Sequence, residues 1–325
     1  MTPSSLPDSS YFVGIDVAKA KLDLARSDTG EILVLTNDFD GIRRIVDSLR
    51  LTAPKMIVIE YPGGLERPLL EALLDADLPV ALVNPRNVRH FAIGMGILAK
   101  TDPIDARVLM EFAKLASPRL AEKRSANQVE LDALITCRRQ LTQTRAIQTN
   151  RRGTTTSKAA LKTIDAVLKA LTREIQRLDK KIRALIESDD DFDSTDKLLR
   201  SVPGVGAVVS ATLQAELKEL GFTNRRRIGA LVGVAPYNHD SGKMKGQRSI
   251  FGGRPSVRSA LYMAAVTAIR FNPVIRSFAQ RLEKQGNAKK VQIVACMHKL
   301  LAFLNVMVRD RLNWNELKVV QALEN

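Results

Sequence analysis

Two cysteines in 325 residues, Cys137 and Cys296, supply neither a disulfide framework nor the paired spacing of a zinc site, so a reducing cytoplasm is the expected compartment. The first ten residues are polar and hold no apolar core of a signal peptide. Long hydrophobic runs are scarce as well. The most apolar late stretch, Leu300 to Val308, is too short to cross a bilayer, and no membrane partner is expected.

Charge of one sign is unevenly supplied. Residues 1–118 hold 13 Lys+Arg against 16 Asp+Glu, a net of −3, whereas residues 119–325 hold 37 against 19, a net of +18. A near-neutral head and a strongly basic body suit a polyanion bound mainly by the body, and nucleic acid is the leading candidate.

The head reads as alternating strands and helices. Tyr11–Asp16 is an apolar run ending in a carboxylate, and with Lys21–Arg26 it forms a hairpin turning near Lys19. Glu31–Thr36 is a third strand after the Asp28-Thr29-Gly30 turn. A helix over Asp40–Arg50 precedes a fourth strand, Lys55–Glu60, whose continuous apolar run is buried on both faces. A helix over Leu65–Ala76, a fifth strand over Pro79–Val83, and helices about Asn87–Gly94 and Pro103–Leu115 complete the order β-β-β-α-β-α-β-α. That order is an α/β arrangement with a mixed sheet and matches the ribonuclease-H-like fold. There the first and fourth strands are neighbours, which puts Asp16 and Glu60 close together.

Beyond residue 118 the pattern turns helical. Leu161, Ile164, Leu168, Leu171, Ile175, Leu178, Ile182 and Leu185 repeat at steps of three and four, a seam of more than three heptads. Leu134, Leu141 and Ile147 mark a weaker stripe on the preceding helix, and Gly153 to Ser157 is the turn between them. The pair forms either a protruding antiparallel hairpin or a dimerising coiled coil. Asp189-Asp190-Asp191 reads as an acidic hinge. From Thr195 the chain is helical, basic and interrupted by glycine. The expected parts are therefore 1–118, 119–194 and 195–325. Within the last, Leu198 to Ala207 has the pattern of a helix-hairpin-helix, in which the Pro203-Gly204-Val205-Gly206 turn offers free backbone N–H groups to a phosphate. A plain glycine-capped helical turn has the same pattern.

Two constellations carry chemistry. Asp102 and Asp105 flank Pro103, so Asp102 reads as a helix N-cap and Asp105 as its third residue, an arrangement that needs no chemistry. Their spacing also points two carboxylates to one side. With Asp16 and Glu60 they make four hard oxygen donors, a repulsive set unless a divalent cation neutralises it, and magnesium suits such donors. Two such ions serve phosphodiester chemistry. The second constellation is Ser241-Gly242, where the serine is either a turn residue or a nucleophile. Lys243, Lys245, Arg248, Arg254 and Arg258 follow it and could hold a phosphate beside the hydroxyl. His239 is a candidate base by proximity alone; His90 and His298 have no ligand pattern.

These residues resemble a known family. Gly14-Ile15-Asp16-Val17-Ala18-Lys19, Ile59-Glu60, Lys100-Thr101-Asp102-x-x-Asp105-Ala106-Arg107, Pro203-Gly204-Val205-Gly206, Ser241-Gly242 and Arg258-Ser259-Ala260-Leu261-Tyr262-Met263 stand in the order and spacing of the transposases of insertion-sequence family 110. These are the DEDD transposases that act as bridge-RNA-guided DNA recombinases. The resemblance runs from Tyr11 to about Arg311. It departs after Glu60, where Tyr61-Pro62-Gly63-Gly64 stands in place of Ala-Thr-Gly. It implies a RuvC-like domain with the tetrad Asp16, Glu60, Asp102 and Asp105, and a C-terminal transposase domain with Ser241 as nucleophile. It further implies donor and target DNA and a structured guide RNA as partners, and a coiled-coil segment used in assembly. The active site would be composite, with Ser241 of one protomer meeting the tetrad of another. A dimer that becomes a tetramer on nucleic acid is expected, in the cytoplasm and on the nucleoid when active.

Three other readings compete. A RuvC-like junction or flap nuclease would use the tetrad to activate water, with Ser241 only a turn residue. A sugar-kinase or actin-like ATPase also opens with Gly-Ile-Asp and a hairpin, but the chain lacks a second strand-linked Asp-x-Gly phosphate loop. An architectural DNA binder would account for the basic body and leave the four carboxylates unexplained.

Overall fold

Apolar runs that end in single polar residues become the strands of a five-stranded sheet in the computed structural model, which describes residues 11–61, 63–237, 246 and 248–317. The chain divides into two units, Met1–Arg124 and Ser125–Asn325.

In the first unit β1 (Phe12–Val17), β2 (Lys21–Arg26) and β3 (Ile32–Thr36) form an antiparallel meander, with Ala18 N–H donating to Lys21 O across the first turn at 3.0 Å. After α1 (Phe39–Thr52), β4 (Met56–Glu60) returns parallel to β1. After α2 (Arg67–Asp75), β5 (Val80–Val83) lies parallel to β4. The sheet order is β3-β2-β1-β4-β5, with α3 (Pro85–Gly94) and α4 (Asp102–Ala116) completing the unit. One face buries Val13, Ile15, Leu22, Ile57 and Ile59 against Ile42, Ile45 and Leu49 of α1 and Leu69 and Leu73 of α2. The other buries Val58 and Ala81 against Val88 of α3 and Val108, Leu109 and Ala113 of α4. Helices cover both faces of a mixed sheet, which fits the ribonuclease-H-like domain expected from the sequence.

The second unit is mostly helical. It comprises α5 (Ala126–Thr154), α6 (Lys158–Glu187), α7 (Asp190–Arg200), α8 (Ala207–Glu216), α9 (Arg225–Val232), a two-stranded ribbon of β6 (Pro236–Tyr237) and β7 (Ser249–Ile250), then α10 (Pro255–Phe271), α11 (Pro273–Lys284) and α12 (Lys289–Asp310). Helices α5 and α6 fold back on each other as an antiparallel hairpin, since Arg138 pairs with Asp179 and Arg152 with Asp165. Burial along the heptad seam is graded. Ile175 and Ile182 are buried, whereas Leu161, Ile164, Leu168 and Leu171 near the tip stay half-buried. At the root Leu131, Ile135, Ile182 and Ile186 pack with Ala211 and Ala215 of α8.

Two sequence expectations are corrected here. The aspartate run is a helix start and not a hinge: Asp189 caps α7 by accepting from Phe192 N–H at 3.2 Å, and Asp190, Asp191 and Asp193 lie in its first turn, where the helix dipole favours negative charge. The apolar stretch around Leu300 belongs to a 22-residue helix, α12, which is long and apolar enough to cross a membrane by length and composition. It instead buries Cys296, Met297, Leu300, Leu301, Leu304 and Met307 in the core shared with α8 and α10.

Candidate active site

Strand ends and one helix start converge on the α4 face of the sheet. Asp16 lies near the end of β1 and pairs in register with Asp23 of β2. Ile15 is level with Ile59 in the parallel β1–β4 pair, so Asp16 and Glu60 occupy neighbouring strand ends. Helix α4 lies across β1, β2 and β4. Its close approach is set by Gly14: a Cβ there would fall 2.3 Å from Ala106 O and 2.2 Å from Met110 N. The glycine of Gly-Ile-Asp therefore lets the helix carrying Asp102 and Asp105 press onto the strand carrying Asp16.

Capping does not use the α4 carboxylates. Thr101, and not Asp102, is the N-cap, and its carbonyl accepts from Asp105 N–H at 2.8 Å with no side-chain cap bond. Asp102 instead meets Lys21 Nζ at 2.8 Å, and Asp105 is ion-paired with Lys100. Carboxylate oxygens of Asp16, Asp23 and Asp102 lie within 4.8 Å of one another. Glu60 and Asp105 are near enough to bear on Asp16 and on each other electrostatically.

The crowding shows in the proton affinities. Burial first, and then the negative charges of Asp105 and Asp102, push Asp16 up to about 6, against the opposing pull of Lys100. Burial and Asp16 likewise raise Glu60. The hydrogen bond from Lys21 holds Asp102 below the ordinary carboxylate range. Asp23 is fully buried, and neither of its oxygens accepts a well-formed hydrogen bond. A half-buried set of hard oxygen donors with a raised proton affinity, including a buried carboxylate whose ion-pair partner is the Lys21 ammonium, fits a divalent cation of the oxygen-seeking class.

Asp23 escaped the sequence reading, as did the two lysines as counter-ions. Its signal was available: a charged residue between Leu22 and Leu24 of a buried strand, and as far from the hairpin turn as Asp16.

The other candidates are spread over the second unit. Ser241, Lys243 and Lys245, with His239, lie outside the described residues; Pro236 pairs with Ile250 and Tyr237 with Ser249 in the β6–β7 ribbon. Arg248 is exposed beside β7. Arg254 grips Glu219 through two 2.7 Å bonds and Glu216 O at 2.8 Å. Arg258 donates to Gly252 O at 2.5 Å. The two turn glycines differ. Gly204 has φ +109°, and a Cβ there would fall 2.7 Å from Ala268 Cβ on α10, so its need is close packing. Gly206 opens α8 with nothing within 4 Å of such a Cβ.

Two family models match, the first running through α5 to the start of α6 and the second beginning within α7. One of DEDD transposases of IS110 covers residues 13–158, and one described as Transposase IS116/IS110/IS902 family covers residues 196–280. The chain belongs to the IS110 family of transposases. Among its relatives are the pilin gene-inverting proteins of Moraxella bovis and Moraxella lacunata, each 29% identical over 316 residues, spanning 93% of this chain and 97% of the relative. An uncharacterized 42 kDa protein of insertion element IS900 from Mycobacterium paratuberculosis is 28% identical over 121 residues, 35% of this chain and 29% of its own length. The IS110-family chain is thus a DNA transposase/recombinase, with DNA as its partner and a carboxylate cluster in its DEDD domain.

Proposed function

We propose that this IS110-family enzyme is an RNA-guided recombinase that cuts and rejoins donor and target DNA through a covalent serine–DNA intermediate. The observation that carries the reading is the meeting of Asp16, Asp23 and Asp102, with Glu60 and Asp105 beside them, at the ends of three strands and the start of α4. Asp16, Glu60, Asp102 and Asp105 would hold magnesium there. Bound magnesium supplies charge neutralisation at the phosphodiester and lowers the proton affinity of an attacking hydroxyl.

The remaining steps belong to side chains. Ser241 Oγ attacks phosphorus and gives up its proton, the bond to the leaving DNA oxygen breaks, and that oxygen takes a proton. The serine–phosphate ester conserves the bond energy, so a second DNA end attacks it and restores Ser241. Lys243, Lys245 and Arg248 hold the phosphate, and the N–H groups after Gly206 hold a neighbouring one. The name of the Moraxella relatives supports rejoining over simple hydrolysis, because inverting a gene requires both cutting and resealing. Pairing with donor and target DNA is supplied by a structured noncoding RNA bound to the basic body. Protomers joined along the α5–α6 hairpins, two without and four with nucleic acid, provide the several active sites that exchange requires.

Trapping on a nicked duplex in magnesium, followed by denaturing electrophoresis, tests the reading. A DNA-linked protein band that vanishes in Ser241→Ala, while DNA binding survives, is the expected result. Metal-dependent cleavage with free ends that Ser241→Ala leaves unchanged would assign the chain to the water-activating junction nucleases. Sequencing of copurifying RNA should return one structured species.

A further inference from the structure

Lys21 Nζ lies 3.2 Å from Asp23 and 2.8 Å from Asp102, inside the group of oxygens that would surround a cation. The two partners differ in kind. Asp23 has a side chain 1% exposed on a central strand, so its carboxylate cannot leave; among the described residues it faces no cation but Lys21. Lys21 is 40% exposed and sits on a four-carbon stem at the start of β2, so its ammonium can swing out to water. An immobile, buried carboxylate with no well-formed hydrogen bond faces a mobile monovalent cation.

On the reading of this cluster as a metal site, we propose that Asp23 is a fifth carboxylate of the centre and that Lys21 is a tethered counter-ion occupying the cation's place, which a divalent ion must displace. Burying an uncompensated carboxylate is costly, and the ammonium offsets that cost while the site waits. The divalent ion therefore competes with a group covalently held at the site, and a metal alone is bound weakly. A phosphodiester changes the balance, because the displaced ammonium then has an acceptor beside the centre. Metal and DNA consequently bind cooperatively, each raising the affinity for the other by the same factor. The device lowers the metal occupancy of the cutting centre until DNA is present.

Manganese titration by calorimetry into the full chain, without nucleic acid, tests this. Lys21→Met should bind Mn2+ roughly 10-fold more tightly than the wild type, a typical coupling magnitude. Lys19→Met removes the same charge two residues away on the exposed turn and should change the affinity less than about 2-fold, because screened surface charges couple weakly. Asp23→Asn keeps the shape and should weaken Mn2+ by roughly 10-fold. Adding a short duplex should tighten Mn2+ in the wild type and much less in Lys21→Met. Amine labelling read by mass spectrometry follows the wild type directly, so the test survives a variant that fails to fold: Mn2+ should raise the labelling of Lys21 and leave Lys19 unchanged. Wild-type binding of Mn2+ with no gain in Lys21→Met and no change in Lys21 labelling overturns the inference alone. No Mn2+ binding by the wild type or by Lys21→Met overturns the metal reading with it.

Discussion

Gly14 of β1 faces the carbonyl of Ala106 on α4 so closely that a methyl group on its Cα would sit 2.3 Å from that oxygen. Both obstructing atoms, Ala106 O and Met110 N, are backbone, so relief requires α4 to move as a body. Gly14→Ala should cost about 2–4 kcal/mol in urea unfolding. Because α4 carries Asp102 and Asp105, the folded fraction should also bind Mn2+ more weakly. Gly153→Ala is the control: it lies in α5 with nothing within 4 Å of an added Cβ, and should stabilise by about 0.5–1 kcal/mol.

The proton affinity of Asp16 sets a pH dependence. Its carboxyl is raised from 3.8 to about 6, so the native state holds the proton more tightly than the unfolded chain does. Between those values the native state binds more protons, and stability falls as pH rises from about 4 to about 6, then stays lower. Asp16→Asn should therefore raise the melting temperature of the metal-free protein at pH 7.5 and change it little at pH 3.5. The group is partly exposed, so solvent screening limits the gain to about 1 kcal/mol. A millimolar divalent cation should stabilise the wild type at pH 7.5 and leave Asp16→Asn nearly unmoved. Full recombination by Asp16→Asn in magnesium would contradict the assignment.

Gly204 and Gly206 should separate under substitution. Gly204→Ala places a Cβ against α10 at a positive φ and should cost roughly 2–4 kcal/mol, from strain and overlap together. Gly206→Ala meets open space at an extended backbone and should cost under about 1 kcal/mol. If the first turn of α8 holds a phosphate, placing a negative charge there with Val208→Glu should weaken DNA binding several-fold without unfolding the chain, since Val208 is exposed. Equal affinity of Val208→Glu and wild type across a salt series would remove that turn from the DNA interface.

The hairpin offers a test of assembly. Leu171 and Leu178 lie half-buried on the seam between α5 and α6, so Leu171→Glu with Leu178→Glu should break both the hairpin and any assembly built on it. Ile147 and Val167 are exposed near the tip, at 52% and 40%, and glutamate there should leave the hairpin's circular dichroism intact. Light scattering should then report protomers in place of dimers. An unchanged mass for both pairs of variants, with and without nucleic acid, would place the oligomer contact elsewhere.

The strands and helices of the first unit were legible because each announces itself twice, by periodicity and by its terminator. The run ending at Asp16 and the run ending at Glu60 both stop where the structure stops them, within a residue. Asp102 and Asp105 were legible as a pair, but their partners were not. Thr101 and Asp102 compete for the cap with similar chemistry, and only the path of the chain decides between them. Asp23 was overlooked because alternation in a strand makes every second polar residue look solvated, whereas here the second face is covered by α4. The arginines after Ser241 illustrate the opposite limit. A basic run reads as a phosphate clamp, yet Arg254 finds Glu219 from 35 positions away, a contact that no local pattern encodes.

The α5–α6 hairpin has helices of 29 and 30 residues, about 45 Å long at 1.5 Å per residue. Among the described residues it is clamped at its root, where Leu131, Ile135, Ile182 and Ile186 seat on α8. Mechanically that is a cantilever. A load at the free end produces its largest bending moment at the fixed end, and the fixed end rests on the helix that Gly206 begins. Grip on the tip by a neighbour is therefore transmitted, as torque, to the start of α8, where Gly206 is the N-cap.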